Sequence, residues 1–218
     1  MKKLCNLSGI SFECELPDEN WIFNLRHGSR TPVDFRQDIL VEVYGDLIDR
    51  TEKVLEIGCG CGRNAQFFLN ETDHIKYYGF DSSELSLKCF KKNSFWDFTN
   101  KKDRFYVSNN IDEIIFGQKY DLIFSTYVLQ HIGFSTDLSV WDAFYITKEL
   151  WNNLNIGGYF MIYELCQGQN CWDPIRWKRE IFEELYKEKA RVVCHKDTNL
   201  KGCEDSPHSL IVVEKLSE

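Results

Sequence analysis

Nothing in the 218-residue chain is apolar for the roughly 20 consecutive residues that a membrane-spanning helix needs. The opening Met1-Lys-Lys-Leu-Cys-Asn6 is not followed by the apolar core of a secretory signal, so a cytoplasmic protein is the expectation. An excess of positive charge is missing too: 26 Lys and Arg stand against 34 Asp and Glu, a net charge of -8. That balance argues against a broad nucleic-acid or membrane footprint, while leaving room for a local basic pocket. No Cys-x-x-Cys pair occurs among the nine cysteines, and their intervals do not match compact structural zinc sites, so no metal is expected. An odd number of thiols scattered through apolar runs suits reduced cysteines better than a disulfide framework. Internal repeats and low-complexity linkers are absent, and the 13 glycines and four prolines are spread out. The length suits one domain of generous size with a substantial core.

What the chain does have is one stretch around which the rest is arranged, Lys53-Val-Leu-Glu-Ile-Gly-Cys-Gly-Cys-Gly-Arg-Asn64. A short apolar run, Val54 to Ile57, ends in glycines spaced two apart, Gly58, Gly60 and Gly62. Apolar residues resume at Ala65, Phe67, Phe68 and Leu69. The pattern predicts a buried strand, a tight turn and a helix. Glycine is needed where the backbone takes positive φ or a ligand approaches it closely. A helix start offers unpaired N–H groups and a partial positive charge, so the turn is expected to hold a ligand with a negative group. A second strand, His74 to Phe80, ends in Asp81. Asp81 lies about twenty residues past the turn, the distance at which an acid meets ribose hydroxyls in βαβ nucleoside sites. A carboxylate accepts both hydroxyls at once and favours a free 2′-hydroxyl over a 2′-phosphate. Ser82 or Ser83 is expected to cap a following helix, Glu84 to Lys92. A plain helix cap is the other reading of Asp81.

Spacing separates this turn from the dinucleotide fingerprint, which is G-x-G-x-x-G; here it is G-x-G-x-G preceded by Glu56. Glu-Ile-Gly-Cys-Gly-Cys-Gly resembles motif I of the class I S-adenosylmethionine-dependent methyltransferases. Tyr120-Asp-Leu-Ile, opening a fourth strand, resembles motif IV of that family, and Val128-Leu-Gln-His-Ile132 resembles the segment after it in members acting on small molecules. Leu154-Asn-Ile-Gly-Gly158 stands where the family usually has Leu-Lys-Pro-Gly-Gly, with Ile156 replacing the proline. The resemblance covers residues 53 to about 164. It implies an α/β fold of three layers, α-β-α. The sheet would have seven strands, mostly parallel, with an antiparallel last strand lying between the fifth and sixth. It implies S-adenosyl-L-methionine as cofactor and S-adenosyl-L-homocysteine as product. Glu56, Gly58, Cys59 and Gly60 would then lie near the methionine part, and Arg63 near its carboxylate. Asp81 would hold the ribose with Ser82 beside it. Asn110 would meet the adenine amino group, with Ile111 against the ring and Asp112 as the alternative to Asn110. Ser125 and Thr126 fall at the C-terminal end of the fourth strand, where ligands bind in open α/β sheets. Tyr127 would line the sulfonium, since an aromatic face attracts cations. His131, at the position that faces the transferred methyl, is the leading general-base candidate, because an unperturbed imidazole titrates near pH ~6.5. A structural histidine at a helix start is the other reading.

Residues 1–50 read as an N-terminal extension, which in relatives of this type packs over cofactor and substrate; residues 51–218 read as the methyltransferase domain. Val33 to Ile48 carries apolar residues at helical spacing, with Thr31 as N-cap and Pro32 at the first helical position. The basic patch offers Arg26, His27 and Arg30 to an anionic substrate, against plain solvated surface. Arg104 to Val107 predicts the third strand, Ser139 to Asn153 a helix, and Tyr159 to Tyr163 the fifth strand, ending in Glu164. Glu164 and Arg176, the latter opening a helix over 175–189, are further substrate candidates. Arg191 to His195 and Ser209 to Lys215 complete the sheet. The expected activity is methyl transfer to an O or N of a small metabolite bearing carboxylate or phosphate. A protein or RNA methyltransferase, or a non-catalytic S-adenosylmethionine-binding subunit, is the alternative. Neither a membrane nor a nucleic-acid partner is expected.

Overall fold

The computed structural model describes residues 45–62, 64–70, 72–92, 99–126, 128, 147–165, 182–183, 186–198 and 208–218. Its strands are β1 (Lys53–Ile57), β2 (Lys76–Phe80), β3 (Phe105–Ser108), β4 (Tyr120–Thr126), β5 (Leu154–Leu165), β6 (Ala190–Thr198) and β7 (His208–Lys215). They form one seven-stranded sheet in the order β3-β2-β1-β4-β5-β7-β6. β1 to β5 pair in parallel, and β7 pairs antiparallel with both β5 and β6. The expected place of the seventh strand, between fifth and sixth, is the one observed.

β1 and β4 lie at the centre because their side chains are apolar on both faces. Val54, Leu55 and Ile57 on β1, and Leu122, Ile123 and Phe124 on β4, are all buried, as parallel strands covered on both sides require. Glu56 interrupts the run and is itself only 1% exposed, so it must find its partners inside. One face is covered by α1 (Ala65–Asn70) and α2 (Glu84–Lys91); their Phe67, Phe68, Leu69, Leu87 and Phe90 pack with Val54, Tyr77, Leu122 and Phe124. The other face is covered by α3 (Ile111–Ile115) and by helical residues at 147–152, 182–183 and 186. Their Ile114, Ile115, Leu150, Trp151 and Phe182 pack with Leu55, Ile57, Ile123 and Phe160. These are the three layers expected.

Some elements differ from the sequence reading. α3 was not foreseen, since five residues are too few for a 3.6-residue period to repeat. β5 starts at Leu154 rather than at Tyr159. Its register jumps from Tyr120↔Leu154 to Leu122↔Tyr159, so the Asn155–Gly158 segment bulges out of the ladder. The Gly-Gly pair therefore belongs to a strand interruption. Gly45–Arg50 is a 3-10 turn at the end of the expected Val33–Ile48 helix; the rest of that helix lies outside the described residues.

The edge holding the starts of the parallel strands is fastened by charged side chains on backbone groups. Asp121 Oδ2 accepts from the Glu52 and Lys53 N–H groups, both at 2.9 Å, while Oδ1 accepts from Asn155 Nδ2 at 2.7 Å. The Arg104 guanidinium donates to the Phe68, Leu69 and Ile75 carbonyls, closing the end of α1. Lys215, 1% exposed, donates to the Trp151 and Leu154 carbonyls and to the Glu218 carboxylate. With this edge locked, the opposite one is left for chemistry.

Candidate active site

The strand order reverses between β1 and β4, and the crevice at the C-terminal ends of strands beside such a switch is where open α/β sheets bind ligands. Residues 58–62 form the turn there. The Gly58 and Cys59 N–H groups donate to the Phe80 carbonyl at 2.7 and 2.9 Å, which hooks the turn to the end of β2. Gly58 sits at φ 78, and a Cβ on it would stand 2.0 Å from Val128 Cγ2. Glycine is thus demanded by the chain that leaves β4. Gly60, at φ 53, differs: apart from its chain neighbours, no atom of the described residues lies within 4 Å of the place a Cβ would take. Gly60 is the open side of the turn.

Asp81 joins that turn to the next helix. Its Oδ2 accepts from the Gly60 N–H and its Oδ1 from the Ser83 N–H, both at 2.8 Å. Burial pushes its carboxyl above the ordinary range, while the Ser83 and Gly60 N–H bonds act in the opposite direction. Each oxygen carries one of these N–H groups, and a carboxylate oxygen has lone pairs for more. Ser83 is the N-cap of α2, its Oγ accepting from the Ser86 N–H at 3.1 Å. Ser82 is exposed beside it.

Under the turn, Glu56 has its partners. Asn64 Nδ2 donates to Glu56 Oε1 at 2.6 Å and to Thr126 Oγ1 at 3.1 Å. The Tyr77 hydroxyl makes a short hydrogen bond to Glu56 Oε2. All four residues are buried. The Asn64 carbonyl oxygen, also buried, has no hydrogen-bond partner among the described residues. Cys59 turns its side chain into the same layer, where a Cβ on Gly79 would meet its sulfur at 2.8 Å. Burial, then the charges of Asp81 and Glu56, push the Cys59 thiol well up. It stays protonated and is no nucleophile.

Farther along the edge, Asn110 is the N-cap of α3. Its Oδ1 accepts from the Asp112 N–H at 3.1 Å, and its Nδ2 points at Glu113 Oε1, 3.4 Å away. Ile111 is buried in the core beneath. Asp112 Oδ1 is buried and has no hydrogen-bond partner among the described residues. Ser125 and Thr126 close β4, both buried. The structure thus gathers Glu56, Gly58, Cys59, Gly60, Asp81 and Thr126 in one place, with Asn110 along the rim. Glu164 lies near the end of β5, paired with Ser209 of β7. Arg26, His27, Arg30, Arg63, Tyr127, His131 and Arg176 lie outside the described residues. Among the described residues no group of three or more His, Cys, Asp or Glu is placed to hold a metal, and Cys59 and Cys89 are free thiols. No described helix is long and apolar enough to cross a membrane.

A family described as a methyltransferase domain matches residues 55–160, the span from β1 to the middle of β5. The chain carries a methyltransferase domain over that span. Solved structures agree on the fold of this methyltransferase. The N-methyltransferase NodS from Bradyrhizobium japonicum, solved with S-adenosyl-L-homocysteine, superposes with a TM-score of 0.67 at 14% identity, over 95% of this chain and 97% of that one. An O-methyltransferase of a Brevibacillus brevis polyketide synthase multienzyme, with the same ligand, gives 0.63 at 17% identity, over 91% and 77%. The cyclase SpnF gives 0.61 at 13% identity, over 85% and 81%. No curated protein matches the sequence. The fold is therefore shared by enzymes with different acceptors and reactions, as folds commonly are.

Asn64 and Tyr77 of this methyltransferase escaped the sequence reading. Their signal was present but faint. Glu56 faces Gly79 across the β1–β2 pair, and Tyr77, two residues before Gly79, shares its face.

Proposed function

We propose that the chain moves a methyl group from S-adenosylmethionine to an oxygen or nitrogen of a small acceptor bearing a carboxylate or phosphate. S-adenosylmethionine, when bound, supplies a methyl on a sulfonium, a good leaving group, so alignment and exclusion of water are the main tasks left to the protein. One observation carries the cofactor assignment: a single carboxylate, Asp81, is fixed by two backbone N–H groups at the mouth of a turn whose open side is Gly60. Such a carboxylate has lone pairs in reserve for two ribose hydroxyls, and a bare Gly60 leaves room for the amino-acid end. The unpartnered Asp112 oxygen suits an adenine amino group as well as Asn110 does. Glu56, Gly58, Cys59 and Arg63 would border the methionine part, with Ser82 beside the ribose, Ile111 under the ring, and Ser125, Thr126 and Tyr127 toward the methyl.

His131 is assigned the proton that leaves the acceptor. Arg26, His27 and Arg30, from an extension over residues 1–50 assigned to cover the site, are assigned to the acceptor itself, together with Glu164 and Arg176 from the 51–218 domain. The acidic net charge favours a metabolite over RNA.

Calorimetric titration with S-adenosyl-L-homocysteine tests the assignment. The intact chain should bind it and ignore NAD. Asp81→Ala should weaken binding about 10- to 100-fold, the loss of charge-assisted hydrogen bonds worth ~1.5–3 kcal/mol. Unaltered affinity would remove Asp81 from the site. A metabolite extract supplied with labelled cofactor, followed by mass identification of the methylated product, then names the acceptor. With that acceptor, His131→Ala should slow transfer about 10²- to 10⁴-fold; a full rate would show that no base is needed there.

A further inference from the structure

Resting on the cofactor assignment above, we propose that Asn64 and Tyr77 are positioning residues. They hold the Glu56 carboxylate charged and fixed beneath the glycine turn, and so set how tightly the turn grips the cofactor's amino-acid end. Neither residue reaches the open side of the turn; both act through Glu56.

The argument starts from hydrogens. A buried carboxylate needs donors on each oxygen, and Glu56 has Asn64 Nδ2 on one and the Tyr77 hydroxyl on the other. Asn64 spends its two amide hydrogens on Glu56 and on Thr126 at the tip of β4. Reversing the amide would set its carbonyl against the carboxylate, so the orientation is forced and the carbonyl oxygen is left buried without a partner among the described residues. An orphaned acceptor of this kind is destabilising and is rare in folded proteins. It is retained here because position 64 must be a double donor. Three elements meet at that residue: the end of β1, the end of β4 and the entry to α1. The glycine turn is therefore held at both ends before any ligand arrives, which lowers the ordering needed on binding.

Among the described residues, three titratable groups lie around Glu56. Tyr77, on β2, has its hydroxyl pushed well up by burial and then by the Glu56 charge, so it remains a donor. The Cys59 thiol, in the turn, is pushed up as well. Asp81, at the end of β2, lies close enough to be felt by both. It titrates in every variant alike, so ratios to the unaltered chain at each pH cancel it.

Asn64→Asp keeps the shape and replaces the donor with a second carboxyl. Two carboxyls sharing a buried site hold one proton strongly and resist losing it. Affinity for S-adenosyl-L-homocysteine, measured by calorimetry on the full chain, should stay within about threefold of the unaltered chain at pH ~5. It should fall by about tenfold or more by pH ~8, as the shared proton is lost. Tyr77→Phe, which removes one hydroxyl, should weaken binding about tenfold at every pH, with an unchanged far-ultraviolet spectrum. A merely structural contribution would lower the melting temperature without producing the pH step. Equal affinities for both variants and the unaltered chain across this range would overturn the proposal. If Asn64→Asp is unfolded at the upper pH, Tyr77→Phe decides, and an unaltered affinity there overturns it. An unaltered chain that binds no S-adenosyl-L-homocysteine at any pH would overturn the cofactor assignment first, and this proposal with it.

Discussion

At the scale of single residues, two glycines of one turn have different reasons to be glycine. Gly58 cannot take a Cβ because Val128 occupies the space 2.0 Å away, whereas among the described residues nothing beyond its chain neighbours stands within 4 Å at Gly60. Gly58→Ala should destabilise by at least ~2 kcal/mol, left-handed strain plus overpacking, or roughly 2–4 °C of melting temperature per kcal/mol in a chain of this size. Gly60→Ala should lose only ~1 kcal/mol through strain yet lose most of its affinity for S-adenosyl-L-homocysteine. A thermal melt and a titration on each variant separate the two effects; loss of affinity in step with loss of stability in both would contradict the distinction. Asp81 adds a pH signature. Burial raises its carboxyl above the ordinary value, and ribose hydroxyls need it charged. Affinity should therefore be full above that raised value and decline as pH falls through it, at higher pH than an ordinary aspartate would give. Asp81→Asn should abolish that step.

At the scale of elements, the resemblance of Tyr120-Asp-Leu-Ile to a family motif does not put Asp121 in the chemistry. Asp121 opens β4 at the edge remote from the glycine turn, where it pins the start of β1 and the bulge of β5. Asp121→Ala should cost about 2–4 kcal/mol, because it leaves backbone N–H groups without an acceptor, while the folded fraction binds S-adenosyl-L-homocysteine normally. Urea unfolding with and without ligand measures both quantities; weakened binding at unaltered stability would contradict the assignment. Strand-turn-helix at 53–70 was legible in the sequence, since an apolar run, three glycines and a resumed period leave few other structures. The N-terminus of α2 was legible only to within a residue: Ser82 and Ser83 are chemically equal caps, and geometry chose Ser83. The bulge in β5 was not legible, because Leu154-Asn-Ile-Gly-Gly158 carries the chemistry of a plain turn.

At the scale of the whole molecule, the place of the last strand between the fifth and sixth could be foreseen only through the family resemblance. The buried set of Glu56, Asn64, Tyr77 and Thr126 could not. Its hydrogen-bonded pairs stand up to 62 positions apart, Asn64 to Thr126, and meet only once the sheet is formed. What the assembled sheet does is bring the end of β1, with its turn, beside the end of β2, with its carboxylate, at the point where strand order reverses. A crystal structure of the complex with S-adenosyl-L-homocysteine tests that convergence most directly. The ribose hydroxyls should lie within hydrogen-bond distance of the Asp81 carboxylate, with the amino-acid end over Gly60. A nucleoside bound elsewhere, with Asp81 and Gly60 untouched, would contradict it.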